Sequence, residues 1–373
     1  MDMYDVAVVG GGIAGSVAAR FSAEQGFKTL LLERYKTPRN KPCSGIQFPY
    51  LEKLVGKRIP QEMLCKNELF KVEMMTPSGK VVKGSMKMLN FWRSTFDYWL
   101  NSLAIEAGAH FMDECRLLDF NEEGEYTTVG IVGRDGERQL KTRYLIGADG
   151  MKSTIRRKLR PQDFKRNASG ATVNYYFVGD ANLDPYTLYM FYNMEFSPLM
   201  FAWVYMKDNM WVVGTGADNH LLKYAGKFLR YVQEKYVLRG EMVKKEGFAT
   251  PMETSIFLGQ RNLLMAGDAA GLVDLYRGLG MDNAALSGRL AVNAIIKSEQ
   301  TNSFPIEHYQ RLMAKTVSKL RENEKKQAAR YATNETLEKS LSPLNLMKGG
   351  LFMLTAAQLN KILPPEKIIL LPL

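Results

Sequence analysis

The sequence predicts an α/β fold in which one sheet is assembled from distant parts of the chain and a β-rich domain is inserted between them. The first 35 residues carry a strand, glycine-rich turn, helix and second strand. A matching buried strand recurs at "NLLMAG" (262–267), and a helical pattern follows it over roughly 279–299. Alternating segments broken by turn residues lie between these parts, which is typical of antiparallel strands.

The opening elements follow from their apolar patterns. "DVAVVG" is an apolar strand, "IAGSVAARFSAEQG" is a helix with a small-residue face that ends at Gly26, and "KTLLLE" is a second apolar strand. Near-continuous apolar runs of this kind are typical of strands that a parallel sheet buries on both faces.

The later elements complete the expected architecture. Residues 94–107 predict an amphipathic helix, 115–147 predict a β-meander with turns at "EEGE" and "RDGE", and 170–216 predict aromatic-rich strands. The rest is predicted to be helical and amphipathic, ending in the apolar "KIILLPL". We divide the chain into a discontinuous α/β domain (1–70, 90–165 and 255–300), a β-rich domain (71–89 and 166–254) and a helical C-terminal region (301–373).

Composition narrows the class of protein. The 373 residues are 46% hydrophobic and 24% charged, as in soluble globular proteins, and their net charge of +11 favours phosphates or acidic lipid headgroups as partners. No basic arm or nucleic-acid-binding motif is present, so we expect no nucleic-acid partner. The three cysteines and three histidines predict neither a disulfide framework nor a metal site. With no leader and no apolar run of about 20 residues, we expect a cytoplasmic protein.

The strongest local motif is G-x-G-x-x-G at residues 10–15. Gly10 permits a tight turn, Gly12 lets backbone approach a pyrophosphate, and Gly15 lets the helix pack closely on the strand. Backbone N–H groups at Ile13 and Ala14 lie at the helix N-terminus, where anions bind. Glu33 ends the second strand and is placed to accept hydrogen bonds from an adenosine ribose, with Arg34 beside it. The motif predicts a dinucleotide but does not separate FAD from NAD.

Three further stretches resemble the p-hydroxybenzoate hydroxylase superfamily of flavoproteins. They are "WRSTFDYWL" (92–100), "YLIGADGMKSTIRRKL" (144–159) and "NLLMAGDAAGLVDLYRGLGMDNAALSGRLA" (262–291). The resemblance implies an FAD-binding Rossmann domain, an inserted antiparallel β substrate domain and a helical C-terminus.

The same resemblance implies roles for individual residues. Asp268 would bond the ribityl hydroxyls, and Arg93 would meet the middle of FAD. The loop and helix start at Gly278, Leu279, Gly280 and Met281 would lie against the flavin ring. Asp149 would bind cofactor together with Arg156, or the two would form a structural turn and an ion pair between domains. A proline usual before the last glycines is absent here, which puts the contact between loop and flavin in doubt.

The segment Pro38 to Gly45 resembles the P-x-x-K-x-C-x-G element of geranylgeranyl reductases. In that family the element lies against the flavin, so Cys43, Ser44 and Gly45 are expected to be cofactor contacts and Cys43 is expected to be catalytic. A second family block, Y-x-W-x-F-P followed by a glycine-bearing strand, matches in part. Its Trp203 is retained and is also expected to be catalytic, while the changed flanking residues put the substrate in doubt.

The resemblance implies a reductase that saturates C=C bonds of an isoprenoid by hydride transfer from flavin N5 and protonation. The alternatives are a monooxygenase or halogenase of the same superfamily and a flavin electron-transfer or lipid-binding protein. No second glycine motif has strand-helix context, so the electron donor would be transiently docked NAD(P)H, reduced ferredoxin or a chemical reductant. Residues 344–373 would either contact a membrane surface as a peripheral anchor or pack onto the protein.

Overall fold

The computed structural model describes residues 2–164, 169–218, 220–251 and 255–372, with side chains for all of these except Ser169, Thr250 and Pro251. It confirms the α/β class. The expected domain boundaries between 165 and 166 and after 254 lie at residues outside this description. The division into domains therefore stays a prediction.

The described residues form sixteen strands and nine α-helices. The strands are β1 (Asp2–Val9), β2 (Thr29–Leu32), β3 (Ile46–Gln47), β4 (Leu69–Met75), β5 (Val81–Asn90), β6 (His110–Met112), β7 (Arg116–Glu123), β8 (Tyr126–Gly133), β9 (Gly136–Gly147), β10 (Ser169–Asp180), β11 (Thr187–Phe191), β12 (Ala202–Lys207), β13 (Met210–Ala217), β14 (Arg239–Pro251), β15 (Gly259–Gln260) and β16 (Leu263–Met265). The α-helices are α1 (Ile13–Glu24), α2 (Leu51–Val55), α3 (Arg93–Glu106), α4 (Thr154–Leu159), α5 (Leu221–Lys235), α6 (Met281–Thr301), α7 (Pro305–Arg330), α8 (Asn334–Ser340) and α9 (Pro343–Ile362). Short 3₁₀ helices cover Gln61–Met63, Pro161–Phe164, Gly267–Ala270 and Pro365–Lys367.

The first sheet has the order β15-β16-β9-β1-β2-β6. Its central pairs are parallel, with Val6 opposite Thr29 on one side and opposite Tyr144 on the other. Strand β9 also closes the antiparallel meander β7-β8-β9. The apolar runs of β1 and β2 are accordingly buried, and the predicted strands and meander are confirmed.

Helices α1 and α6 pack so closely that their backbones are in contact. A Cβ added at Gly288 of α6 would lie 2.2 Å from the carbonyl oxygen of Ala14 in α1. Only a residue without a side chain fits there, so the small-residue face of α1 serves close helix packing. This contact brings the N-terminal ends of the two helices toward the same region of the molecule.

The second sheet has the order β14-β10-β13-β12-β11-β4-β5-β3 and is antiparallel except for the β4–β11 pair. Its side chains alternate between two faces with the period of two expected for strands. One face packs on α5 in a separate core that includes Tyr175, Phe191 and Trp211. The other face, with Tyr176, Trp203 and Tyr205 among its side chains, joins the main core. The aromatic residues at 186–216 are therefore divided between two environments.

The C-terminal region is helical as predicted, but the expected amphipathic pattern is wrong for α9. This helix buries only Ala356 and Asn360 and exposes large apolar side chains over most of its length. Its partners are few because most of its apolar groups point away from the main core. Among the described residues, none of the helices is both long enough and apolar enough to cross a bilayer.

Candidate functional site

A cavity lies between the first sheet and the inner face of the second sheet. Its wall combines parts of the chain that are far apart in sequence: the glycine loop, the 41–46 segment, Arg93, the turn at 148–151, the second sheet and the 266–284 segment. The lining residues include Gly12, Ile13, Ala14, Lys41, Cys43, Ser44, Arg93, Asn174, Leu188, Met200, Phe201, Trp203, Glu246, Asp268, Asp274, Gly278, Leu279, Gly280 and Met281. The structure thus brings together most of the residues that the sequence singled out.

The glycine loop has the geometry that its motif requires. Gly10 has a φ of +111°, and a Cβ there would lie 2.4 Å from the carbonyl oxygen of Ala148. A Cβ on Gly15 would lie 1.9 Å from the carbonyl oxygen of Gly10. Gly12 caps α1, no side chain caps the helix, and its first turn contains no acidic residue. The N-terminus of α1 therefore offers N–H groups and partial positive charge to an anion in the cavity.

Glu33 lies beside this loop and is buried. Its Oε2 accepts hydrogen bonds from the backbone N–H of Gly11 (3.1 Å) and from Nε of Arg39 (2.8 Å). Oxygen Oε1 accepts from the backbone N–H of Tyr35. Arg34 is exposed, stacks on the ring of Tyr35 at 4.7 Å and is not among the cavity-lining residues. Glu33 is thus held in place next to the glycine loop, whereas Arg34 faces outward.

Asp268 and the start of α6 form another part of the wall, next to the N-terminus of α1. Oδ2 of Asp268 lies 3.0 Å from Nζ of Lys41. Burial raises the pKa of Asp268, but the charges of Lys41 and Arg93 outweigh it and hold that pKa below its ordinary value. Gly280 caps α6 without a side-chain hydrogen bond. A second helix N-terminus with backbone N–H groups therefore faces the cavity.

Arg93 is buried at the cavity wall and forms a bidentate pair with Asp97, with both N–O distances 2.7 Å. Burial lowers the pKa of Arg93, but the Asp97 carboxylate outweighs it and raises that pKa. The guanidinium is therefore a fixed, permanent cation at the middle of the cavity wall.

Asp149 and Arg156 are not among the cavity-lining residues, although Ala148 and Gly150 on either side of Asp149 are. Oδ2 of Asp149 accepts a bond from the backbone N–H of Thr154 (2.7 Å), and its buried Oδ1 lacks a hydrogen-bond partner among the described residues. Burial raises the pKa of Asp149. Arg156 pairs with Asp163 at 2.9 Å. The Arg156–Asp163 pair and the turn at Asp149 thus support local structure.

Cys43 lies on the cavity wall, half-buried, with its Sγ 4.0 Å from Sδ of Met281 at the start of α6. Ser44 lines the cavity beside it. Gly45 has a φ of +67°, and a Cβ there would lie 1.9 Å from the carbonyl oxygen of Phe91. The glycine therefore lets the Cys43 segment lie directly on the strand end at Phe91.

A buried lysine, Lys207, hydrogen-bonds the backbone of the Cys43 segment. Lys207 is 1% exposed, and its Nζ donates to the carbonyl oxygens of Ser44 (2.7 Å) and Phe91 (2.6 Å) and to Oδ1 of Asn90 (3.2 Å). Burial lowers the pKa of Lys207. Its partners lie more than 100 residues away, so no local pattern predicts the position of Lys207.

A row of residues crosses four strands of the second sheet on the cavity side. The β-pairing places Trp203 opposite Gly214, Gly214 opposite Asn174, and Asn174 opposite Glu246. A Cβ on Gly214 would lie 2.1 Å from the indole nitrogen of Trp203. That indole N–H donates to Oδ1 of Asn174 at 2.9 Å. The missing side chain at Gly214 thus lets the Trp203 indole lie flat across the sheet.

Glu246 ends this row with a polar cluster that sequence patterns did not indicate. It accepts hydrogen bonds from the Tyr176 hydroxyl (2.7 Å), Nδ2 of Asn40 (2.5 Å) and Nζ of Lys244 (2.6 Å). Burial raises the pKa of Glu246, but these donors outweigh it and leave that pKa lowered. Because Asn40 precedes the Cys43 segment, the cluster ties that segment to β14.

These features fit FAD. A helix N-terminus and a glycine cradle suit the pyrophosphate, the Glu33 carboxylate suits a ribose, and the orphaned Asp149 Oδ1 marks an acceptor without a protein donor. A second helix N-terminus, that of α6, begins at the cavity-lining residues Gly280 and Met281. Within the described residues, no group of three or more His, Cys, Asp or Glu side chains is arranged to hold a metal ion.

Comparison with known proteins agrees with this geometry. Residues 3–217 match the FAD binding domain family. The chain is 30% identical to a geranylgeranyl diphosphate reductase of Rhodobacter capsulatus over 78% of this chain and 74% of the relative. It is 32% identical to a digeranylgeranylglycerophospholipid reductase of Methanopyrus kandleri over 82% of this chain and 85% of the relative. A geranylgeranyl bacteriochlorophyll reductase-like structure from Thermoplasma acidophilum superposes with a TM-score of 0.81, at 23% identity over 92% of both chains.

Proposed function

This chain belongs to the FAD-binding family and to its geranylgeranyl reductase-like branch, and from that premise we propose that it reduces isolated C=C bonds of an isoprenoid lipid. One observation carries the proposal beyond family membership. Cys43 and the start of α6 face the same cavity as an apolar wall that includes Leu188, Phe201 and Trp203. One cavity thus contains both the residues expected to contact the flavin and an apolar surface that suits a hydrocarbon chain.

The second sheet supports an extended apolar substrate. Phe201 and Trp203 meet edge to face with ring centroids 6.2 Å apart, and Met200 adds a flexible thioether next to them. Aromatic rings and methionine give a surface that adapts to an irregular hydrocarbon chain. The Trp203 indole is fixed by Asn174, so it provides a flat face that does not need to reorganise. We assign Trp203 a role in orienting the chain to be reduced.

FAD, when bound and reduced, supplies a hydride to one carbon of the alkene. The protein must place the alkene, exclude water and provide a proton for the other carbon. Cys43 is our candidate for holding that proton, because its thiol lines the cavity next to Met281. Lys207 and the close contact at Gly45 fix the position of the Cys43 segment. Arg93 and Asp268 bind the middle of the cofactor in this proposal.

Helix α9 is proposed to contact the surface of a membrane. It contains no acidic residue between 343 and 362, and Leu351, Leu354 and Met347 are more than 60% exposed. Lys348 and Lys361 add positive charge to the same helix. An apolar helix flanked by lysines matches an anionic bilayer surface, where a lipid substrate would be found. We therefore place the protein in the cytoplasm at the membrane surface.

The electron donor is proposed to be an external one. The sequence carries no second glycine motif in strand-helix context, so no dedicated NAD(P)H-binding domain is expected. Reducing equivalents would come from transiently docked NAD(P)H or from reduced ferredoxin. The net charge of +11 favours acidic carrier proteins through electrostatic steering.

The test is a turnover assay with purified protein that is loaded with FAD and reduced by dithionite under anaerobic conditions. We expect +2 Da steps on prenyl alcohols or prenyl lipids by mass spectrometry. Cys43→Ser and Cys43→Ala should retain FAD and lose most of the turnover. A colourless protein that cannot be loaded with FAD would contradict the flavoprotein assignment. Full turnover in both Cys43 variants would assign the proton to another group.

Oxygen chemistry is the second outcome of the same assay. Oxygen consumption with NAD(P)H and an oxygenated or halogenated product, without +2 Da steps, would instead support the monooxygenase or halogenase alternative. Reoxidation by a quinone or a protein partner, with no alkene reduced, would support an electron-transfer role.

A further inference from the structure

We propose that Arg277 is a positioning residue for the cofactor cavity: it fixes the cavity-lining loop 274–280, and the C-terminal segment 368–372 completes its binding site. The loop is closed by two backbone hydrogen bonds between Asp274 and Leu279, of 3.0 and 3.2 Å. Five of its seven residues, including Asp274 and Gly278, line the cavity. Gly278 has a φ of +68°, so the loop makes a tight turn against the cavity.

Arg277 is 4% exposed and lies between two buried carboxylates. Its Nε donates to Asp274 at 2.6 Å, and its two terminal nitrogens donate to Asp282 at 2.7 and 3.1 Å. Asp274 lies at the start of the loop and Asp282 in the first turn of α6. A guanidinium presents several donors in a fixed fork, and this fork joins the two ends of the loop.

Besides the two carboxylates, Arg277 has a third hydrogen-bond acceptor, which lies in the C-terminal segment 368–372. Nη1 of Arg277 also donates to the carbonyl oxygen of Leu371 at 2.9 Å. The N–H of Leu371 donates to the hydroxyl of Tyr50 at 3.2 Å, and that hydroxyl donates to Asp282 at 2.8 Å. Leu371 is 2% exposed. The backbone of Leu371 thus hydrogen-bonds Arg277 directly and is linked to Asp282 through the Tyr50 hydroxyl.

The C-terminal segment 368–372, called the tail below, is itself held in place by hydrogen bonds. Asn360 in α9 exchanges two 2.7 Å hydrogen bonds with the backbone of Ile369. Asn323 of α7 donates to Oδ2 of Asp274 at 2.7 Å from the opposite side. Every polar group of the cluster therefore has a partner, as a buried charge requires. The loop position depends on three parts of the chain: α6, α7 and the tail.

The inference rests on FAD being the cofactor and not on the isoprenoid substrate, so its test measures FAD binding. The chain is truncated after Lys367, which removes the Leu371 contacts and leaves the Arg277 pairs with Asp274 and Asp282. Arg277→Lys is the second variant, because an ammonium cannot replace the bidentate fork. Lys53→Met is the matched control. It removes the bonds to the carbonyl oxygens of Lys361 and Leu363 near the tail without touching the loop.

We expect the truncated chain and Arg277→Lys to bind FAD at least tenfold more weakly by fluorescence titration, and to show altered visible absorption bands of the bound flavin. Lys53→Met should stay within about twofold of the wild type, a difference well under 1 kcal/mol. Wild-type FAD affinity and wild-type flavin bands in the truncated chain, whatever its thermal stability, would overturn the inference. Absence of FAD binding in the wild type would instead contradict the proposed function.

Discussion

At the residue scale, Cys43 differs from the other two cysteines in exposure. It is half-buried and lines the cavity, whereas Cys65 and Cys115 are 3% and 2% exposed. Burial raises the pKa of Cys65 to about 11 and also raises that of Cys115. A thiol with a pKa near 11 is only about one-thousandth thiolate at pH 8, and the thiolate is the reactive form.

We therefore expect iodoacetamide at pH 8 to add one group to the native protein, at Cys43. Bound FAD should slow this reaction, because Cys43 faces the cavity. Intact-mass measurement over time gives the number of adducts, and Cys43→Ser should give none. Two or more adducts on protein that is still folded by circular dichroism, or no protection by FAD, would contradict the placement of Cys43.

The ion pair between Lys41 and Asp268 gives a pH-dependent prediction. The folded protein lowers the pKa of Asp268 below its ordinary value of 3.8, so the pair stabilises the fold fully above that pH. This stabilisation is lost as the pH falls through the lowered pKa, because Asp268 is then protonated in both states. We expect Lys41→Met to lower the free energy of unfolding by about 1–3 kcal/mol at pH 7, and the difference to shrink below pH 4.

Urea unfolding between pH 3 and pH 7 measures this difference. The matched control is Lys71→Met, which removes an ion pair to Asp184 whose two side chains are 49% and 33% exposed. Such exposed pairs contribute roughly 0–1 kcal/mol. An equal effect of the two substitutions at pH 7 would show that the Lys41 pair has no special role.

At the element scale, the contact between α1 and α6 controls the glycine loop. A Cβ on Gly288 would meet the carbonyl oxygen of Ala14 at 2.2 Å, so one helix would have to move. We expect Gly288→Ala to destabilise the protein by about 1–3 kcal/mol and to weaken FAD binding, because Ala14 lines the cavity.

The control for this prediction is Gly226→Ala on α5. The nearest neighbouring atom to a Cβ there is a flexible Arg230 nitrogen at 3.8 Å. Alanine in an open helix position should stabilise by about 0.5–1 kcal/mol and leave FAD binding unchanged. Thermal melts and FAD titrations of the two variants test the pair. A stable Gly288→Ala protein with normal FAD affinity would refute the close-packing account.

Most elements could be predicted from the sequence because their patterns are local. The apolar runs of β1 and β2, the glycine loop between them and the turns of the β7–β9 meander each carry their own signal. Helix α9 was predicted less well, since its apolar residues repeat without a polar face and nothing local shows which of them the fold buries.

The site could be predicted only where a motif marks it. The family motifs lead to Gly12, Cys43 and Asp268, all of which line the cavity. Lys207, Glu246 and Arg277 carry no such mark. Each has at least one partner 94 to 206 residues away: Ser44 for Lys207, Asn40 for Glu246 and Leu371 for Arg277. A charge in a strand or loop gives no indication of a distant partner, so tertiary structure was needed to find these residues.

At the scale of the whole molecule, positive charge and the exposed face of α9 should act together on a membrane. We expect the protein to float with vesicles that contain phosphatidylglycerol, and to bind less as salt screens the net charge of +11. Met347→Gln, Leu351→Gln and Leu354→Gln combined should reduce binding roughly tenfold or more by removing apolar contact area.

The matched control is Leu222→Gln on α5, whose leucine is 64% exposed, similar to the three in α9. It should leave vesicle binding unchanged. Equal binding of the wild type and the triple variant to vesicles of phosphatidylglycerol would show that α9 packs elsewhere or stays in water, which contradicts the proposed membrane face.

The central position of β1 has a consequence for how the chain folds. β1 is synthesised before its partner β9, with which it pairs around residue 144, and β9 in turn pairs with β16 around residue 264. Until those later strands are made, the apolar β1 has one open hydrogen-bonding edge. Distant pairings of this kind slow folding and expose strand edges to other chains. The recovery of soluble protein after refolding should therefore fall as chain concentration rises, because the unpaired edge of β1 can pair with a strand of another molecule.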